Sequence, residues 1–200
     1  AAAQIFEVPW GHLCLIISAI NRDQQKALFY VNETIKNNWS RNTLGIFLDS
    51  NLYERQGKAI TNFDYHLPKE NSDLAKQITK DPYNFDFLSL KDEFCEKELK
   101  DALIDNIQKF LIELGTGFAY MGREYRLSIG ESDEFMDMLF YNTSIHAYVV
   151  IEVKTRNFKP EDIGQLGTYV VAVDNMLKSE RDEKTIGLLV CKNKNEILAR

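Results

Sequence analysis

Three residues in the C-terminal half have the types and spacing needed for phosphodiester chemistry: Asp137, Glu152 and Lys154. Glu152 and Lys154 lie two apart in the run Ile151-Glu152-Val153-Lys154, and on a strand such a pair shares one face. Charged groups at the end of so apolar a strand must reach solvent, a partner or a ligand. A hairpin centred on Thr143-Ser144 would set Asp137 opposite Val150, on that same face and diagonal to Glu152. Two carboxylates this close can hold a hard cation, Mg²⁺ (or Mn²⁺), which keeps several waters of its own. Such an ion neutralises charge growing on a phosphate and acidifies a bound water. A lysine beside it can orient that water or steady the pentavalent phosphorus. Glu98, read as the edge of an apolar helical stripe, could be an outer ligand, and Gln165 could hold the attacking water or a phosphate oxygen. A competing reading stands beside each. Asp followed by Glu-x-Lys also arises as a surface ion pair of little energetic weight, and Glu98 and Gln165 also fit ordinary polar helix positions.

The elements around these residues supply a scaffold. Leu99, Leu103, Ile107, Phe110 and Leu114 recur at steps of three and four, predicting one amphipathic helix over 93–114 that Gly115 and Gly117 stop. Strands follow over 118–129, about 134–141 and 145–153, the last apolar enough to be central. Pro160 opens a second helix carrying Ile163, Leu166, Tyr169, Val170, Val173 and Leu177. A buried strand over 185–191 closes the series. The order αβββαβ, with three strands in a meander and a right-handed crossover to the fourth, predicts an α/β fold with a mixed sheet and a helix on each face.

Residues 1–80 read differently. A short buried helix from Pro9, a second over 22–36, and a third capped by Ser40 are too few for a good core, so this part is expected to be the remainder of a larger helical domain. The turn-rich, aromatic segment 56–90 is expected to lie along the second domain, with the boundary near residue 80: 1–80 the helical part and linker, 81–200 the second domain. The charge of −6 at pH 7 comes from the middle of the chain, where 81–150 hold six Lys/Arg against fourteen Asp/Glu. Asp137 lies in that stretch and Glu152 just beyond it, and a bound cation would offset part of the excess. Cys14, Cys95 and Cys191 make no disulfide framework or zinc pattern, and no apolar run is long enough to span a bilayer. A cytoplasmic protein with free thiols is the expectation. His12, His66 and His146 read as structural.

The chain resembles the YhcG-type proteins of bacteria, in which a domain of unknown function precedes a PD-(D/E)xK nuclease domain. The resemblance rests on Asp81-Pro82-Tyr83-Asn84-Phe85-Asp86-Phe87-Leu88, Glu98-Leu99, Phe110-Leu111-Ile112-Glu113-Leu114-Gly115, Gly117-Phe118-Ala119-Tyr120-Met121-Gly122-Arg123 and Asp137-Met138-Leu139-Phe140-Tyr141. It continues through Ile151-Glu152-Val153-Lys154, Phe158-Lys159-Pro160-Glu161-Asp162, Gly164-Gln165-Leu166 and Gly187-Leu188-Leu189-Val190-Cys191, with Pro9-Trp10-Gly11-His12 and Trp39-Ser40 at the N-terminal end. It implies a restriction-endonuclease-like fold and a Mg²⁺-dependent nuclease acting on DNA, or less readily RNA. Metal would be bound by Asp137, Glu152 and the Val153 carbonyl, with Lys154 as catalytic lysine, Glu98 as the acid of the first helix and Gln165 as a polar site residue. Three positions depart from the pattern: Lys100 where an acid is expected, Glu124 where Gln is usual, and Asn142 for a frequent His. The start of the N-terminal domain is expected to be missing. The alternative function is a non-catalytic nucleic-acid-binding or interaction module of a bacterial defence or mobile-element system. The N-terminal helices are candidates for a homodimer contact or a protein partner.

Overall fold

The computed structural model describes residues 4–57, 94–129 and 132–191, with Lys69, Lys80, 83–85 and Leu88. Most of the 56–90 segment, including Phe63, Tyr65 and Phe87, lies outside the described residues. The chain forms two compact units, residues 1–58 with 80–84, and 59–79 with 85–200.

In the first unit a 3-10 turn, Gln4–Glu7, precedes α1 (Trp10–Ala19), α2 (Gln24–Asn37), α3 (Arg41–Asp49) and α4 (Leu52–Arg55). Local chemistry sets the ends. Asp23 accepts the Lys26 N–H at 3.0 Å to start α2, and Asn38 ends it at φ 49°. The Ser40 hydroxyl accepts the Thr43 N–H at 3.1 Å, the expected cap of α3. Ile16, Tyr30, Leu44, Phe47 and Leu52 are buried, and the Tyr30 hydroxyl donates to the Phe47 carbonyl at 3.2 Å. Four helices thus close a small core of their own. In α1, expected to be buried, only Ile16 is, while Trp10 and Ile17 are 75% and 69% exposed. Lys80 belongs with this unit, its ammonium 5.0 Å above the Phe47 ring.

The second unit follows the predicted order. Its helical face is α5 (Glu96–Asp105) and α6 (Ile107–Leu114) rather than one helix. The break falls at Asn106, whose carboxamide donates to the Ala102 carbonyl at 3.0 Å and whose backbone leaves the helical region at φ −109°, ψ 33°. Both pieces keep the apolar stripe, since Leu99, Leu103, Phe110 and Leu114 are all buried. Strands β1 (Phe118–Ile129), β2 (Ser132–Asn142), β3 (Ala147–Lys154) and β4 (Ile186–Cys191) lie in the order β1-β2-β3-β4. The first two pairings are antiparallel and the third is parallel, reached through α7 (Pro160–Met176). This is the mixed sheet of a restriction-endonuclease-like fold. Leu166, Tyr169, Ala172 and Val173 of α7 pack on one face with Leu139 and Val150. On the other, the Phe110 ring of α6 meets Phe140 edge-on at 5.7 Å.

The β2–β3 register differs from the expected one. Leu139, not Asp137, pairs with Val150, and Met138 pairs with Ile151. A slip of two residues keeps every side chain on its face, but it carries Asp137 along to the end of β3. The cause is the turn, four residues long over 143–146, with His146 at φ 51°. Buried Asn142 organises it: its carboxamide oxygen accepts the Ser144 and Ile145 N–H groups at 2.9 and 3.3 Å, and its NH₂ donates to the Thr116 carbonyl at 3.2 Å. Gly117 permits this close approach at φ 85°, where a Cβ would lie 2.6 Å from the Ser144 hydroxyl.

A second glycine seats α7. A Cβ on Gly187 of β4 would lie 2.8 Å from Leu166 Cγ and 3.1 Å from Val170 Cγ2. Gly187→Ala is expected to cost about 1–3 kcal/mol, the usual penalty of overpacking. Urea denaturation reads it directly, and an unchanged midpoint would mean that α7 can lift without loss.

Candidate active site

Asp137, Glu152 and Lys154 meet where β2 and β3 run under α5. Asp137 and Glu152 are 7% and 2% exposed, so two carboxylates are buried side by side. The Asp137 Oδ2 accepts the Val153 N–H at 2.9 Å, which pins it to the end of β3. The Lys154 ammonium donates to Glu152 Oε1 at 2.8 Å and stands 3.6 Å from Glu96 Oε1. A second ammonium, Lys100 of α5, donates to Asp137 Oδ1 at 2.7 Å and stands 3.7 Å from Glu96. Three carboxylates and two ammonium groups make a cluster with one excess negative charge.

One atom in this cluster has no partner. Glu152 Oε2 is buried without a hydrogen bond, an arrangement that costs free energy unless something else supplies positive charge. Burial, the largest cause, pushes the Glu152 carboxyl above its usual range; the Asp137 charge adds to this, and the Lys154 hydrogen bond opposes it. For Lys100 burial acts downward first, but the hydrogen bond to Asp137 and the charges of Asp137, Glu96 and Glu152 outweigh it and raise its pKa. Lys154 is raised in the same way by Glu152, Glu96 and Asp137. Both lysines are therefore held charged. The two buried carboxylates fit a hard cation that keeps several waters. Among the described residues no group of three or more His, Cys, Asp and Glu side chains is arranged to hold a metal ion, so backbone oxygen and water would complete any such shell.

Residues 76–200 match the model of the YhcG PDDEXK nuclease domain, and residues 1–55 match that of the DUF1016 N-terminal domain. The chain belongs to the YhcG family. The YhcG protein of Escherichia coli (strain K12) is 30% identical over 196 residues, covering 96% of this chain and 52% of that one, so the chain spans about half the length of this relative. A repair endonuclease from Pyrococcus abyssi superposes with a TM-score of 0.39 at 22% identity, over 55% of this chain and 42% of that one. The EndoMS–dsDNA2 complex gives 0.38 at 22%, over 54% and 41%.

Within this YhcG nuclease domain the remaining expected site residues fall unevenly. Gln165, in the first turns of α7, donates to the Tyr169 hydroxyl at 2.9 Å, and that hydroxyl in turn donates to the Phe135 carbonyl at 3.3 Å. Tyr169 is pushed up by burial first, and the charges of Glu152 and Asp137 contribute, so α7 feels the cluster electrostatically. Glu98 is directed elsewhere: its Oε2 accepts the Cys95 N–H at 2.8 Å at the start of α5. The α5 acid near the lysines is Glu96, two residues earlier. The signal was available in the sequence. Glu96 and Lys100 are four apart and lie on the Leu99–Leu103 side of the helix, whereas Glu98 points well away from it. Beyond the cluster, Arg156 grips Asp162 through both terminal nitrogens, at 2.6 and 2.9 Å, between β3 and α7. Arg123 of β1 pairs with Asp101 at 2.9 Å, and Glu124 beside it takes φ 46°. Among the described residues no helix is long and apolar enough to cross a membrane.

The division between the two α5 acids is testable. Glu98→Ala is expected to lower stability by roughly 0.5–1 kcal/mol, as loss of a capping interaction does. Glu96→Gln is expected to slow catalysis the more, by about tenfold, or 1.4 kcal/mol of barrier. Paired melts and cleavage rates with the opposite ranking would return the site role to Glu98.

Proposed function

We propose that this chain is a divalent-metal-dependent nuclease that hydrolyses phosphodiester bonds in DNA. The observation that carries the reading is the buried, unpartnered Glu152 Oε2 beside Asp137 and Lys154. Asp137 and Glu152 would hold the ion, with the Val153 carbonyl as a further oxygen. When bound, Mg²⁺ or Mn²⁺ would neutralise phosphate charge and lower the pKa of a bound water. Lys154 holds a phosphate oxygen or aligns the water from the wall of the site. Gln165, tethered to Tyr169, presents its carboxamide from α7 to the water or to a phosphate. Glu96 adds to the Asp137 and Glu152 contacts that hold the two lysines charged. The family membership supports this reading, and so does the excess negative charge of the cluster.

One observation favours a second reading, a module that holds nucleic acid without cutting it: both acids are already paired with ammonium groups. Metal-dependent cleavage of single-stranded, duplex or branched DNA, abolished by chelator, would establish the nuclease. Binding without turnover in Mg²⁺ and Mn²⁺ on all three would establish the module, and turnover confined to RNA would move the substrate. In the first unit, the exposed Phe6, Trp10 and Ile17 support the reading of α1 as a dimer or partner contact. A monomer by light scattering would remove the dimer.

A further inference from the structure

Lys100 stands where a cation bound to Asp137 would stand. Its ammonium donates to Asp137 Oδ1 at 2.7 Å, while Asp137 Oδ2 is taken by the Val153 N–H at 2.9 Å. Asp137 thus has both oxygens engaged, and Glu152 has one oxygen engaged and one unpartnered. A Mg²⁺–oxygen bond is about 2.1 Å long. Any ion held by Asp137 would share that carboxylate with the Lys100 ammonium, and the repulsion between two positive charges in a partly buried site is large. Lys100 can leave. Its side chain is 23% exposed and sits on a flexible four-carbon stem, and Glu96 at 3.7 Å offers a second acceptor.

We infer that Lys100 is a built-in competitor for the metal position: a divalent ion enters by displacing its ammonium from Asp137, and Lys100 thereby sets the metal concentration at which the site fills. This rests on the metal-binding reading of Asp137 and Glu152 above. Lys154 differs in that its contact is with Glu152 Oε1, which leaves Oε2 open to the ion.

Calorimetric titration of the intact chain with Mn²⁺ tests the inference without any turnover. Lys100→Gln and Lys100→Met are expected to lower the dissociation constant about tenfold, a fraction of the full Coulomb effect because the wild-type lysine can swing aside. Lys109→Gln, on the exposed side of α6, makes the same change in net charge and is expected to leave the constant within twofold. Thermal melts give an independent reading: without metal the Lys100 variants melt below wild type, and their rise on adding Mn²⁺ is larger. If wild type binds Mn²⁺ and the Lys100 variants bind it equally or more weakly, Lys100 is a brace for Asp137 and the inference is overturned while the metal site stands. If no protein binds Mn²⁺, both fall. Binding by the Lys100 variants alone would be the strongest support.

Discussion

Lys154→Ala is expected to reduce DNA cleavage by about 10²–10³-fold, the loss that follows removal of one preorganised donor from developing negative charge, while nucleic-acid binding persists. The ammonium is 12% exposed and lies between Glu152 and Glu96, so it is already placed and no reorganisation is needed when charge builds on the phosphate. Asp137 gives a matched pair of variants. Asp137→Asn keeps an acceptor for the Val153 N–H but removes the charge that a cation needs. Asp137→Ala removes both. Both are expected to abolish cleavage and to lower the melting temperature by breaking the Lys100 contact, the alanine variant the more because it also strands a buried N–H. Single-turnover rates in Mg²⁺ with melts alongside decide it. Undiminished cleavage in Lys154→Ala or Asp137→Ala would sink this site.

Asp162→Ala should be the most damaging change to stability, at about 2–4 kcal/mol, the range for removing a buried carboxylate that accepts charge-assisted hydrogen bonds. Asp162 is 1% exposed and accepts from Arg156 Nη2 at 2.6 Å, Arg156 Nη1 at 2.9 Å and the Lys159 N–H at 2.9 Å. It thereby ties the segment after Lys154 to the start of α7. Burial acts to raise its pKa, but the Arg156 hydrogen bond, the Lys159 N–H and the charges of Arg156 and Lys154 prevail and hold it below the usual carboxylate range. The sign follows from linkage: a depressed folded-state pKa contributes stability above the unfolded value, near pH 4, and that contribution is lost as pH falls through the folded pKa. Chemical denaturation across pH 2–7 should therefore show the wild-type advantage over Asp162→Ala shrinking below about pH 4. An advantage constant with pH would assign the loss to packing instead.

The sheet and the facing of the three central residues were legible because both rest on short periods. Alternation with period two places Glu152 and Lys154 together, and any hairpin register of the right parity adds Asp137. A register two residues off therefore still brings the same three residues together. What it missed was the level of Asp137 along β3, which depends on the length of the turn. That length follows from Asn142 reaching both its own turn and the Thr116 carbonyl, an interaction across 26 residues. The break of the first helix at Asn106 was hidden for a similar reason, since the apolar stripe runs through it unchanged. Helical angle alone separates Glu96, on the Leu99–Leu103 side of α5, from Glu98, whose carboxylate turns back to the Cys95 N–H.

Taken by itself, then, the sequence determined the order of elements, the α/β class, the family and the face on which Asp137, Glu152 and Lys154 lie, because each follows from local periodicity or from motifs spread along the chain. Tertiary structure alone decided that Lys100 sits on Asp137, that Glu96 joins the two lysines, and that one oxygen of Glu152 is buried without a partner. Those facts depend on how α5 lies against the middle of β2 and the end of β3. The distance between charges on different elements is set by packing, and no spacing along the chain encodes it.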